Sequence, residues 1–373
     1  MRKIKLNILT PIPFWHPGTQ ELIDRLKQND FEVVALDIWD FKFYNEKEEI
    51  VDLTPSILKG FTVKVYRKLN RKKIISKYVK KDQIVDIQWC GHYYSNFVYE
   101  IKKNSKKVFA TLFGSDFYRS TNEQRAIQRK IFEVADKVVM GVNMQRDFSE
   151  IFPGLEHKYL FAQYGSKRLD IIGEHGGSFK KSELRKKYGL SKDKIVVTVG
   201  YNAKPEQQHF KIVETLSRLE VSILNQMFFI FPLTYGTDKK EPYYQNLISF
   251  LEKWNVEKLV IEDKMSDESL IETKLVSDIT LNFQTTDALS SSIKESLASG
   301  DVLIVGDWLP YDVYKKLEVF YFQANFDSLN DILENTLLEI EKYKQKCERN
   351  SEAILKFASW NNLINQFITN YKS

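Results

Sequence analysis

The sequence predicts an α/β protein made of two doubly wound parallel-sheet domains in series, and three observations predict it. Short β-type apolar runs alternate with amphipathic helical patterns along the chain. The alternation lapses once, in a charged, glycine-containing stretch near the middle, and then restarts. The length of 373 residues exceeds what one hydrophobic core usually serves.

The elements follow in order. Lys3 to Leu9 is an apolar, β-leaning run. Residues 11–18, PIPFWHPG, carry three prolines and a glycine and read as loop, after which Thr19 caps an amphipathic run with Leu22, Ile23 and Leu26. Phe31 to Leu36 is the next strand, which completes a βαβ unit. Further strands are expected at Ile84 to Gln88, Lys107 to Leu112 and Lys137 to Met140, with a helix at Asn122 to Ala135. Asp170 to Lys194 has a Gly-Gly pair, many charges and few large apolar residues, the composition of a linker with a flanking helix. Strands then resume at Ile195 to Val199, Met227 to Phe231, Leu259 to Ile261, Asp278 to Phe283, Val302 to Val305 and Val319 to Phe322. Helices are expected at Ser266 to Val276 and Ser291 to Ser299, and Ser328 with Asp331 has capping-box spacing before another. The resulting division is 1–170, a linker at 171–192, 193–355, and a C-terminal helix at 356–373.

Composition narrows the function classes. With 43% hydrophobic and 28% charged residues the chain is neither disordered nor fibrous. Two cysteines, Cys90 and Cys347, allow no disulfide framework and no cysteine-based zinc site, and five histidines argue against a histidine-rich metal site. The longest apolar stretch, Met227 to Leu233, is too short to span a bilayer, and the N-terminus starts a strand where a signal peptide would show an apolar core. A reducing, cytoplasmic setting is expected.

Lys+Arg 55 against Asp+Glu 50 is a net charge of only +5, but it is unevenly spread. From Lys59 to Lys81 ten residues are Lys or Arg and none is acidic. As a helix this segment puts Phe61, Val65 and Leu69 on one stripe, with Ile75, Tyr78 and Val79 roughly continuing it. A basic amphipathic helix of this kind suits an anionic membrane surface. The alternative is a solvated lysine-rich face; nucleic acid is not expected, because no reader motif accompanies the charge.

The segment richest in chemistry is Asp278 to Trp308. A strand ends near Phe283, a polar loop follows, and a helix begins at Ser290, Ser291 and Ser292. Backbone N–H groups at such a start, with the macrodipole and the hydroxyls, make an anion site suited to a diphosphate. Asp287 precedes the helix and Glu295 lies one turn inside it, so two carboxylates could accept hydrogen bonds from a sugar and a ribose. The duller alternatives are a loop acid, a solvated helix residue and a plain serine cap.

This Asp287-x7-Glu295 pattern, followed by Gly300 and a buried strand, resembles the nucleotide-sugar signature of the large retaining family of GT-B glycosyltransferases. Here Asp stands where that family usually has Glu. Leu184 to His209 is similar to the family's entry into its C-terminal domain, with Gly200 and Lys204 at the donor-phosphate positions and Asn202 beside them. Phe231 to Gly236 resembles a strand end of amino-sugar transferases that act on lipid-linked intermediates. Thr111 to Arg119 and Phe357 to Trp360 resemble polysaccharide glycosyltransferase segments.

The resemblance implies a GT-B fold, two Rossmann-like domains facing across a cleft, with 1–170 binding the acceptor, 193–355 binding the donor, and the C-terminal helix crossing back to the first domain. It implies transfer from a nucleotide diphosphate sugar to a lipid-linked or other glycan acceptor, with retention expected. The Lys59 to Lys81 run would hold the enzyme at the inner face of the cell membrane, and because no Asp-x-Asp element stands at a credible strand end, transfer without a metal or other cofactor is expected. Where many members have a catalytic His, this chain has Phe113, so His16, His92 and Asp116 are the remaining catalytic candidates. Asp116 is the choice if a base is needed; its alternative is a bond to backbone in its own turn. A nucleotide-sugar epimerase, or a non-catalytic partner of another glycosyltransferase subunit, is the competing expectation.

Overall fold

The computed structural model describes all residues except 1–2, 13–16, 92–93, 142–143, 176–180, 192 and 288. The chain divides into two units, one formed by Met1–Gly165 with Leu363–Ser373 and the other by Ser166–Asn362.

The first unit holds an eight-stranded sheet. Its strands are β1 (Ile4–Leu9), β2 (Phe31–Asp37), β3 (Lys42–Tyr44), β4 (Ile50–Asp52), β5 (Ile84–Gln88), β6 (Lys107–Thr111), β7 (Lys137–Met140) and β8 (Tyr159–Phe161), in the spatial order β4-β3-β2-β1-β5-β6-β7-β8. At one edge β3 pairs antiparallel with both β2 and β4, and the remaining pairs are parallel. Side chains alternate across the strands. Val85, Ile87, Val108, Ala110 and Val138 enter one apolar cluster, whereas Phe109 faces the other way and meets the ring of Tyr371 at 5.2 Å. Leu363, Phe367 and Tyr371 are buried, which is why the end of the chain belongs to this unit.

The second unit holds a six-stranded, wholly parallel sheet of β9 (Ile195–Val199), β10 (Met227–Pro232), β11 (Lys258–Ile261), β12 (Ile279–Asn282), β13 (Val302–Gly306) and β14 (Phe322–Ala324). The order β11-β10-β9-β12-β13-β14 is that of a dinucleotide-binding sheet. Val197, Val199, Phe229, Phe231, Ile279 and Leu281 pack on one face; Val196 and Ile230, and separately Leu303 and Val305, pack on the other. Both faces are therefore covered, as the near-continuous apolar runs of these strands require.

Several expectations shift. The first helix runs over Pro17–Lys27, so Thr19 is an interior residue and not its cap. Its hydroxyl is buried and donates to Gln88 Oε1 at 2.6 Å. Ser328 makes no capping bond to its helix; its backbone is already helical, and its hydroxyl instead accepts from Asn325 N. A full capping box does form at Thr121 with Gln124. Residues 171–192 include the end of helix Lys167–His175 and all of helix Lys181–Lys187, inside the second unit. Leu169, Ile172 and Leu184 bury apolar surface there, despite the charged composition. The last strand lies at Phe322–Ala324, later than expected; Val319 is buried in an apolar cluster, and its N–H bonds back to Tyr314 O at 2.9 Å instead of joining the sheet ladder.

Candidate functional site

In the second unit the strand order reverses between β9 and β12, and the loops after these two strands diverge at that point. Crevices of this kind are where doubly wound sheets bind ligands. The β9 loop begins at Gly200, whose φ of 65° lies in the left-handed region. A Cβ there would fall 2.8 Å from Gln207 Oε1 and 3.0 Å from His209 Nε2, so only glycine lets the chain turn this tightly. Asn202 is buried, and its Oδ1 accepts from Lys204 N at 2.9 Å, a local turn that sets the course of the next residues. Lys204 is exposed, and its stem lies over Gly236, where a Cβ would come 2.6 Å from Lys204 Cγ. Gly236 thus makes room for Lys204, and Ala203 N donates to Tyr235 O at 2.8 Å beside it.

The two loops are stitched together by polar side chains. Gln284 Oε1 accepts from Tyr201 Oη and from Gln207 Nε2, each at 2.9 Å. Gln208 Nε2 donates to Phe283 O at 2.5 Å, and Thr285 N donates to Glu206 O at 2.8 Å. Trp308 Nε1 donates to Gln284 O at 2.9 Å from the β13 side. Among the described residues, Gln284 Nε2, Ser290 Oγ and, at the end of β12, Asn282 Oδ1 are buried atoms with no hydrogen-bond partner. Unspent polar atoms concentrated in one place point to bound water or ligand there.

Asp287 closes the loop. Its carboxylate accepts from Ser290 N at 3.1 Å and from the Tyr311 hydroxyl, and Asn282 Nδ2 donates to that same hydroxyl at 2.8 Å. Leu289, between acid and helix, has a φ of 61°, a strained value for a branched residue. The helix Ser291–Ala298 follows. Its first-turn amides lack intrahelical partners by construction. Glu295 is almost wholly buried; its Oε1 accepts from Arg168 Nε at 2.7 Å, and no bond to Oε2 is present among the described residues. Arg168 also reaches Asp267 at 3.2 Å. Burial lowers the Lys294 pKa, against the pull of the Glu295 and Asp287 charges.

The structure therefore brings Gly200, Asn202, Asp287, Ser290, Ser291, Ser292 and Glu295 onto the two loops and the helix start at one end of this sheet, with Lys204 packed on the Gly236 loop beside them. Sequence reasoning missed Arg168, Gln207, Gln284 and Tyr311. Arg168 is 127 residues from Glu295 and Tyr311 is 24 from Asp287, and no local pattern marks contacts at those separations.

The catalytic candidates lie in the first unit. His16 and His92 are outside the described residues. Asp116 is tied down: Oδ1 accepts from Phe113 N at 2.9 Å and Gly114 N at 3.1 Å, and Oδ2 accepts from Cys90 N at 3.1 Å. Burial pushes its carboxyl above the ordinary range, and the backbone donors offset this in part. These bonds join the ends of β5 and β6, the geometry of a side chain that fixes its own loop. Phe113 stacks on Trp89 with ring centroids 4.7 Å apart and planes at 11°.

No protein-family model matches the sequence. No curated protein matches it either. Solved structures do. A glycosyltransferase from Rickettsia africae superposes with a TM-score of 0.71 at 16% identity, over 100% of this chain and 98% of that one. A sucrose-phosphate synthase from Thermosynechococcus elongatus gives 0.69 at 10% identity, over 99% and 98%. Anabaena HepE, solved in complex with UDP and glucose, gives 0.64 at 10% identity, over 99% of both chains. Together with the two parallel sheets and their switch-point loops, these likenesses establish that the chain has the GT-B glycosyltransferase fold.

Proposed function

We propose that this chain is a glycosyltransferase that moves a hexosyl or acetamidohexosyl group from a nucleotide diphosphate sugar to a lipid-linked glycan at the inner face of the cell membrane. The carrying observation is the convergence, at the switch point of the second unit, of the Gly200 turn, the Ser291–Ala298 helix start and Glu295 with one oxygen unspent. The helix-start amides and Lys204 would receive the diphosphate, whose growing negative charge is what the reaction most needs stabilised. Glu295 Oε2 would accept from the ribose. Asp287 keeps acceptor capacity for a donor hydroxyl, since a carboxylate offers about four acceptor positions.

Transfer with retention needs no protein base, because the leaving phosphate can take the acceptor proton on the same face of the sugar. Asp116 then holds its loop, and neither a metal nor another cofactor enters the scheme. The first unit would receive the acceptor.

The test is a panel of UDP-, GDP- and dTDP-sugars offered to the purified protein. We expect one donor to be hydrolysed slowly, with an α-linked donor releasing the α-anomer first. Release of the opposite anomer would overturn the retaining assignment. Solvent deuterium appearing in the recovered sugar would point to epimerisation, and a panel with neither binding nor turnover would contradict the proposal.

A further inference from the structure

The basic segment is a single helix, Phe61–Tyr78, and the structure separates its apolar residues into two sets. Ile74, Ile75 and Val79 are buried in the first unit's core, with Tyr66 and Tyr78 packed against it. Phe61, Val65 and Leu69 point outward, 78%, 40% and 76% exposed, and Ile57 in the preceding turn is 85% exposed. The stripe read from the sequence therefore does not continue through Ile75 and Val79; those residues face the core. Among the described residues, half of the exposed large apolar side chains lie between Trp39 and Leu69. Scattered exposed apolar residues are ordinary, but a concentration of them marks an interaction surface.

The charges divide in the same way. Arg67 faces inward and bonds Asp40 at 2.6 Å, and Arg71 lies 3.7 Å over the ring of Trp39. The other eight cations of the run, Lys59, Lys64, Lys68, Lys72, Lys73, Lys77, Lys80 and Lys81, are all exposed, and none is in an ion pair among the described residues. With each residue advancing about 100° around the helix, Lys64 and Lys68 fall on one flank of the Phe61–Val65–Leu69 stripe and Lys73 and Lys77 on the other. Lys64, Lys68 and Lys72 repeat at i, i+4, a like-charge arrangement that destabilises a helix in water.

We propose that this outer face docks on an anionic membrane, with Phe61, Leu69 and Ile57 entering the headgroup boundary and the flanking lysines meeting lipid phosphates. An apolar stripe between two cationic flanks matches a surface that is hydrocarbon beneath negative charge. A second copy of the chain fits poorly, because an isologous pairing would set eight lysines against eight. Nucleic acid would leave the apolar stripe in water. No described helix is long and apolar enough to cross a membrane, and the contact proposed is an interfacial one. The inference deepens the membrane part of the function proposed above and rests on it only there; it is read without any donor.

The experiment is co-sedimentation of the full chain with phosphatidylcholine vesicles that contain or lack phosphatidylglycerol. Binding is expected only when phosphatidylglycerol is present, with part of it resistant to salt. Lys64→Glu/Lys68→Glu/Lys72→Glu should lower that binding about a hundredfold, taking roughly fivefold per juxtamembrane cation as a minimum. Phe61→Ser/Leu69→Ser should leave weaker binding that salt removes completely. Melting temperatures close to wild type show that both variants fold, as exposed positions allow. Absent binding, equal binding by the variants, or equal binding to neutral vesicles overturns the proposal. So does displacement from vesicles by single-stranded RNA at low concentration, or a dimer that Phe61→Ser/Leu69→Ser dissolves. A donor that binds normally while vesicles do not separates this failure from failure of the donor site.

Discussion

Asp287 shows how a site residue acquires its role from a partner far along the chain. The acid was legible as half of an acidic pair with Glu295 at a fixed spacing, but the group that orients it was not. The Tyr311 hydroxyl donates to its carboxylate while accepting from Asn282 Nδ2, so two buried side chains hold the half-buried acid in place. Tyr311→Phe removes a bond to a charged group and strands the Asn282 amide. We expect stability to fall by about 1–3 kcal/mol and donor affinity to fall about tenfold, read by calorimetric titration and thermal melts. Unchanged affinity would mean that Asp287 does not face the donor. Asp116 teaches the converse lesson: its turn was readable as an aspartate that bonds nearby amides, and the structure finds it doing so with Phe113, Gly114 and Cys90.

At the scale of elements, the interior strands were the most legible, because buried parallel strands are dominated by β-branched and other apolar residues, even where a polar residue such as Asp86 interrupts them. Ile84–Gln88, Lys137–Met140 and Ile195–Val199 lie where the apolar runs put them. The short antiparallel edge of β3 and β4 was missed, since three-residue strands carry too little periodicity to register. Helix starts were less legible than strands: Thr121 and Ser328 have similar spacing signals, and only tertiary context makes one a cap.

The helix His209–Leu216, which supports the Gly200 turn, carries its own prediction. His209 is wholly buried, neither ring nitrogen is bonded among the described residues, and burial lowers its pKa from 6.5 to about 4. Its place at a helix N-terminus also disfavours a cation. Between pH 6.5 and about 4 the unfolded chain binds this proton and the folded chain does not, so stability falls as pH falls through that window. Burial raises Asp86 and Asp301 to about 6, and they act oppositely, favouring the folded state as pH falls from about 6 toward 3.8. The His209 contribution is therefore read as a difference: His209→Leu should melt progressively higher than wild type as pH is lowered from 6.5 to 4. Parallel melting curves across that range would contradict it.

For the whole molecule, the sequence reading recovered two α/β units but not where the second begins. Ser166 and the residues after it join the second unit, and the chain returns to the first at Leu363, after helix Ile340–Ala358 ends at the extended Ser359. Composition suggested a linker where Lys167–His175 and Lys181–Lys187 pack, because charged helices that bury a few large residues resemble linkers in composition alone. The returning segment makes the first unit discontinuous. Tyr371 Oη donates to the buried Asp86 at 2.8 Å, and Leu363 and Phe367 of the same segment are buried. Leu363 and Phe367 each contribute about 1.5–3 kcal/mol by burial alone. Deleting Leu363–Ser373 should therefore unfold the first unit while the second keeps its own sheet, seen as lost protease resistance confined to the N-terminal part. A truncated chain with wild-type melting and proteolysis would contradict the assignment of that segment.

The most direct test of the central claim, a nucleotide diphosphate sugar bound at the β9–β12 switch point, is calorimetric titration of the free nucleoside diphosphates UDP, GDP and dTDP into wild type and Glu295→Ala. One nucleotide should bind the wild type, and the variant should bind it at least about tenfold more weakly, the loss of one hydrogen bond to a charged acceptor. Binding of equal strength by both proteins, or by neither, would contradict the account.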